Sequence, residues 1–322
     1  MTTESLTNPD ILTDNYNRKI SNVRIALTSA CDLRCIYCHR EGEGDNGCVR
    51  DEHSAQMTKD EIIELIHVFA GLGVTTMKLT GGEPLLRPDL LDIIRAIPPE
   101  VESSLTTNGT HLAKLAPQLK AAGLTRVNVS LDTLDRETYQ KITGKDRLRD
   151  VLEGIDAAIS AGLTPVKLNM VVLKGMNDHE IEDFLAFVRA RRGDLILQII
   201  ELMDLNGWTD NMEKEVHGNA ELVANLETEF AKHSSEVTTR HMHHRRKYNI
   251  DGAIVEVVRP MHNPEFCANC NRLRVTSDGL LKPCLLRTGN EVSIKGLHGD
   301  ELIAAIGKAV KNRSPYFFAH DN

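Results

Sequence analysis

The sequence predicts an α/β fold built on a parallel sheet, and three observations carry that prediction. Short β-branched runs alternate with amphipathic helical stretches; a capping box opens the first of those helices; and polar residues recur where the strands end. Right-handed crossovers turn such an alternation into a parallel sheet, either doubly wound or rolled into a barrel, and periodicity alone fits both. Either architecture puts its chemistry at the carboxyl ends of the strands.

In chain order, residues 1–21 show no apolar periodicity and read as a loose N-terminal arm. Strands are expected at 23–27, 74–79, 102–106, 126–131, 166–172 and 195–201. The first helix is announced by Thr58-x-x-Glu61 ahead of Ile62, Ile63, Leu65, Ile66 and Phe69. Later helices fit 88–97, 112–122, 147–161 and 178–191, followed by a polar loop over 204–217 and an amphipathic helix over 219–230. The basic run 240–247, with its three histidines, reads as a solvated face or an adventitious metal binder. A hairpin over 247–258 turns at Asp251-Gly252. The division expected is an arm (1–21), a barrel (22–240) and a C-terminal substrate-cluster region (241–322).

The 322 residues suffice for one barrel with an appendage, and 41% hydrophobic with 26% charged residues is a soluble globular composition. A net charge of −8 argues against nucleic acid, whose binding comes mainly from phosphate neutralisation. No apolar run spans a bilayer and the polar start lacks a secretion signal, so no membrane partner and a cytoplasmic location are expected.

Seven cysteines form two trios and a remainder, an odd count that suits ligands better than a disulfide framework. Cys31, Cys35 and Cys38 follow the first strand with spacing C-x3-C-x2-C; Cys267, Cys270 and Cys284 give C-x2-C-x13-C; Cys48 is left as a free thiol. Three thiolates on a four-iron cluster leave one iron open to bind a small molecule. A zinc knuckle completed by His39 is the alternative from a different class. After the second strand comes Thr80-Gly81-Gly82-Glu83-Pro84, whose glycines permit close backbone approach. Arg272 and Arg274, beside the second trio, offer planar forks that match phosphate oxygens.

The first trio, with Tyr37 before its third cysteine, resembles the signature of the radical S-adenosylmethionine (SAM) enzymes. That resemblance implies SAM on the open iron and favours a partial (β/α)6 TIM-type barrel with a C-terminal auxiliary-cluster extension. Both trios, the glycine motif and Cys270-Asn271-Arg272-Leu273-Arg274 together resemble the GTP 3′,8-cyclase family of molybdenum cofactor biosynthesis, from about residue 22 to about 314. The resemblance implies a lyase converting GTP to (8S)-3′,8-cyclo-7,8-dihydroguanosine 5′-triphosphate with two [4Fe-4S] clusters and SAM. An electron donor and a downstream pyranopterin-forming enzyme would be its partners, and a homodimer is one assembly it allows.

Residue by residue, the resemblance places Cys31, Cys35 and Cys38 on the SAM cluster and Cys267, Cys270 and Cys284 on the substrate cluster. It places Tyr37, Gly82, Ser130 and Met203 on SAM, and Arg24, Lys78, Thr106, Lys167, Arg272, Leu273 and Arg274 on GTP. Two departures stand out: Lys78 replaces an arginine common before the glycine motif, and the chain ends Ala319-His320-Asp321-Asn322 where bacterial members often carry a double glycine. A radical SAM enzyme that modifies peptides is the competing enzyme reading.

Overall fold

The computed structural model describes residues 11–39, 56–191, 193–203, 210–239, 243, 245–261 and 263–316, with backbone alone for 210–218. Cys48 and the C-terminal tetrapeptide lie outside the described residues. In chain order the elements are β1 (Asn22–Ala26), α1 (Lys59–Gly71), β2 (Thr76–Thr80), α2 (Leu90–Arg95), β3 (Glu102–Thr107), α3 (Leu112–Ala121), β4 (Arg126–Ser130), α4 (Arg136–Thr143), α5 (Leu148–Ser160) and β5 (Val166–Val171). Then come α6 (Ile181–Arg189), β6 (Leu195–Ile200), α7 (Asp210–His233), β7 (Val237–Thr239), β8 (Arg246–Ile250), β9 (Ala253–Val258), α8 (Pro264–Ala268), β10 (Arg272–Val275), β11 (Leu280–Lys282), β12 (Val292–Ser293) and α9 (Gly299–Lys311).

One sheet holds every strand, in the order β12-β11-β10-β1-β2-β3-β4-β5-β6-β9-β8-β7. From β10 through β9 all pairings are parallel. Antiparallel β11–β12 and β8–β7 extend the two ends, and among the described residues the ends do not pair, so the barrel is open. The expected six-strand unit is β1 to β6, and the C-terminal segment adds a parallel neighbour at each side of it. The sequence division at 240 therefore separates stretches of chain that share one sheet.

Period-two alternation gives this sheet two unlike faces. On the outer face Val23, Ile25, Met77, Leu79, Val127, Val129, Leu168 and Leu197 are buried with Ile66, Phe69, Leu119, Ile155 and Phe184 of the surrounding helices; each such side chain contributes about 1.5–3 kcal/mol by leaving water. The inner face carries polar residues at the alternate positions. The capping box forms as read, with Glu61 N donating to Thr58 Oγ1 and Thr58 N donating to Glu61 Oε2. Asp251 and Gly252, both at positive φ, make the hairpin turn between β8 and β9.

Three expectations are corrected. Residues 11–21 are not loose: Leu12 and Ile20 are buried, Thr13 bridges Lys19, and the Asp14 carboxylate accepts from Arg18 Nε at 2.7 Å and Arg313 Nη1 at 2.8 Å. Contacts across nearly the whole chain leave no periodic trace in so short a segment. Helix α4 was not anticipated; it is brief and polar, buries only Tyr139, Ile142 and Thr143, and is set by Asp135 accepting from Thr138 N and by left-handed Gly144. Helix α7 starts at Asp210, so the latter part of the expected polar loop is helical.

Candidate active site

Cys31, Cys35 and Cys38 sit in the loop leaving the carboxyl end of β1, and the loop is pinned from several sides. Arg34 N and Ile36 N donate to the carbonyls of Thr143 and Ile142 at the end of α4. Asp32 accepts from Asn108 Nδ2 at 2.7 Å and Thr110 Oγ1 at 2.8 Å, both beyond β3. Tyr37 OH donates to Asp132 Oδ2 at 2.5 Å, while Asp132 Oδ1 accepts from Val171 N. Burial pushes the Asp132 carboxyl up to about 6 and, with Asp132 beside it, holds the Tyr37 phenol well above its ordinary value.

The glycine motif packs directly on this loop. A Cβ on Gly82 would lie 2.2 Å from Ala30 O, and one on Gly81 2.4 Å from Thr28 O; Gly82 N donates to Thr28 O and Glu83 N to Ala30 O, each at 2.7 Å. Only glycine admits that approach. The fully buried Glu83 carboxylate accepts from Leu85 N, Thr107 Oγ1 and Asn108 N, yet burial outweighs these bonds and pushes it up to about 7.

Inside the sheet lies a cavity of about 340 Å³. Its lining includes residues from both β10 and β9, so the sheet curls around it. Strand register stacks the lining in rungs. Asn22 pairs with Arg272; one rung up, Arg24 pairs with both Arg274 and Lys78, and Lys78 with Ser104. Next, Thr106 pairs with Asn128 and Asn128 with Lys167; above them Ser130 pairs with Asn169, Asn169 with Gln198 and Gln198 with Glu256. Tyr37 and Met203 line the cavity at the carboxyl end.

Positive charge dominates the lower rungs. Burial and then Arg24, Arg272, Lys167 and Arg245 push the Lys78 ammonium well below its ordinary value, and burial with Arg24, Arg274 and Arg245 does the same to Arg272. Such mutual repulsion marks a pocket shaped for an anion. Fully buried Glu256 is the counter-charge: it accepts from Lys167 Nζ at 2.7 Å and Gln198 Nε2 at 2.8 Å, with Arg245 and Lys247 each at 3.7 Å.

The second trio also lines the cavity. β10 runs parallel to β1, so residues just before β10 and residues just after β1 lie at opposite ends of the sheet. Cys267 and Cys270 thus mark the amino end and the first trio the carboxyl end. Arg18 Nη1 donates to Cys267 O and Arg313 Nη2 to Cys270 O. Burial opposes a Cys270 thiolate, but Arg313, the Arg272 amide and Arg272 outweigh it and lower the thiol's pKa; burial raises that of Cys284. His243 lies stacked on Phe266, ring centroids 3.9 Å apart, and burial with the neighbouring arginines keeps it neutral. Three thiols at each end match three-cysteine ligation of a cluster with one open iron.

Comparison with known proteins decides the matter. The Radical SAM superfamily profile matches residues 25–188, and the Molybdenum Cofactor Synthesis C profile matches 195–319. A protein of Methanocella arvoryzae named "Probable GTP 3′,8-cyclase" is 48% identical over 308 residues, 95% of each chain; one of Archaeoglobus fulgidus with the same name is 46% identical over 310 residues, 95% of this chain and 99% of that one. The chain belongs to the GTP 3′,8-cyclase family. Among solved structures, SuiB of Streptococcus suis bound to S-adenosylmethionine aligns with TM-score 0.61 at 16% identity, covering 94% of this chain and 66% of that one, a likeness of fold. The cofactors of the GTP 3′,8-cyclase family are two [4Fe-4S] clusters and SAM, and the two thiol trios fit them.

Of the residues matched to that family, Arg24, Tyr37, Lys78, Thr106, Ser130, Lys167, Met203, Arg272 and Arg274 all line the cavity, as does the second trio. Gly82 lies instead against the cysteine loop, and Leu273, between the two arginines on β10, is buried in the hydrophobic core and does not line the cavity. Sequence reading placed Asn128 and Asn169 among the polar strand-end residues without giving them a role, and missed Arg18, His243, Arg245 and Arg313 as lining residues and Glu256 as their counter-charge. For the strand residues, inward phase was the available signal; for His243 and Arg245, set in a basic run, there was none.

Proposed function

We propose that this chain converts GTP to (8S)-3′,8-cyclo-7,8-dihydroguanosine 5′-triphosphate, with the triphosphate and ribose held in the cation-lined cavity between the two trios. The carrying observation is that cavity: the second thiol trio lines its amino end, Tyr37 of the first trio's loop lines its carboxyl end, and Arg24, Lys78, Lys167, Arg272 and Arg274 stand along its wall. Cys31, Cys35 and Cys38 would ligate the SAM cluster, and Cys267, Cys270 and Cys284 the substrate cluster. When bound, SAM and its cluster would supply, on one-electron reduction, a 5′-deoxyadenosyl radical able to take the hydrogen atom from ribose C3′; closing the bond from C3′ to guanine C8 would leave an unpaired electron on the guanine, and a second electron from the donor with a proton would complete the product.

The chain's own contribution is binding, orientation and exclusion of water. Guanidinium and ammonium groups offset the phosphate charge in a low-dielectric setting, while Ser130, Met203 and Tyr37 would place SAM at the carboxyl end. Parallel strands hold both ligands in line, so proximity replaces chance encounter. A separate electron donor, a downstream pyranopterin-forming enzyme and a cytoplasmic setting complete the reading; no helix among the described residues is long and apolar enough to cross a membrane.

The test is anaerobic reconstitution with iron and sulfide, then incubation with SAM, reductant and GTP, and mass spectrometry of the products. 5′-Deoxyadenosine and an isomer of GTP appearing together, and neither without the clusters, is the expected result. Deoxyadenosine with unaltered GTP would reject GTP as substrate and turn attention to peptides.

A further inference from the structure

We propose that Asn128 and Asn169 accept hydrogen bonds from the ribose hydroxyls of the nucleotide and thereby make the enzyme select ribonucleotides over 2′-deoxyribonucleotides. This rests on the cyclase reading of the cavity. Asn128 is 1% exposed, and its Oδ1 and that of Asn169 are buried without a hydrogen-bond partner. Buried polar atoms are rarely left so, because each loses its water without compensation. Both residues line the cavity on adjacent strands.

Their position and chemistry narrow the occupant. Asn128 pairs across the sheet with Thr106 and Lys167, which face the proposed nucleotide, and stands two residues before Ser130, which faces the proposed SAM. It is therefore one rung, about 6.6 Å along the strand, below the SAM position, and the ribose is the part of GTP that must lie closest to SAM. Carboxamide oxygens accept hydrogen bonds, and ionised phosphates have no proton to give them, whereas a vicinal diol has two. Ser104 Oγ and Thr106 Oγ1, also buried without partners, lie on or next to the Lys78 rung, where a hydroxyl can donate to phosphate.

The experiment compares GTP with 2′-deoxyGTP in the reconstituted wild type, Asn128→Ala and Asn169→Ala, following cyclised product and transfer of deuterium from C3′ to 5′-deoxyadenosine. Wild type should prefer GTP by at least about a hundredfold in kcat/KM. Each variant should lose at least about tenfold on GTP, and the one whose amide meets the 2′-hydroxyl should lose less than about threefold on 2′-deoxyGTP, so that its preference collapses. Equal losses on both nucleotides in both variants, or an unchanged preference in both, overturn the assignment. So does a preference for GTP over inosine triphosphate that collapses in place of the 2′-deoxyGTP one, since the amides would then serve the base. Should Asn128→Ala fail to fold, Asn128→Leu, which keeps the volume and removes the acceptor, takes its place. Wild type that makes no cyclised product from GTP overturns the cyclase reading itself, and the ribose assignment with it.

Discussion

Lys167 donates to Glu256 across the cavity wall at 2.7 Å, although the two residues belong to strands separated in the sheet by β6. Glu256 is fully buried and also meets Gln198, Arg245 and Lys247, so one carboxylate tempers the repulsion of three cations. Glu256→Gln keeps the shape and removes the charge. It should cost about 3–5 kcal/mol of stability without ligand, and added GTP should restore more stability to the variant than to wild type. Urea unfolding with and without GTP measures both; equal losses and equal restoration would reject the role.

The two trios should fail differently. Cys31→Ala is expected to abolish SAM cleavage, whereas Cys284→Ala should leave slow, uncoupled deoxyadenosine formation and no cyclised nucleotide. Product from either variant would sink the assignment of that trio.

Arg274 pairs across β10–β1 with Arg24 in the most cationic rung. Arg274→Ala should weaken GTP binding by about 1.5–3 kcal/mol, the worth of a hydrogen bond to a charged group. Anaerobic calorimetric titration reads this directly, and unchanged affinity would mean that the guanidinium does not meet the nucleotide.

Glu83 gives a pH dependence of defined sign. Burial raises its carboxyl from 4.5 to about 7 in the folded chain, so the folded state holds a proton that the unfolded state has released. The stability this brings is complete below pH 4.5 and is lost as pH rises through 7, about 3 kcal/mol in all. Wild type should therefore lose more stability than Glu83→Gln between pH 5 and pH 8. Parallel urea midpoints for the two proteins would rule this out.

Gly82→Ala places a methyl group 2.2 Å from Ala30 O, which is backbone and cannot step aside. The cysteine loop must shift, and reconstituted iron should fall towards half while the second trio keeps its share. Full iron content would show that the loop tolerates the change.

The sequence disclosed those parts of the fold whose residues speak locally. Apolar alternation announced the six central strands, Thr58 and Glu61 announced α1, and cysteine spacing announced both trios. What stayed hidden depends on partners far along the chain. Asp14 is explained by Arg313, and Glu256 by Lys167, pairs that no window of sequence contains. Arg245 looked like one charge in a solvated run, but its side chain turns into the cavity beside Glu256. Asn128 read as one of the polar strand-end residues but gained no role, because alternation gives a face without saying what that face meets.

The pairing of β1 with β10 joins residues 250 positions apart. On the ribosome, β1 must wait with one edge bare until nearly the whole chain has emerged, an arrangement of high contact order that folds slowly and leaves a sticky edge exposed meanwhile. The wall carrying Arg272 and Arg274 is consequently laid late, and a nascent chain can offer its first trio to iron long before it has anywhere to seat a nucleotide.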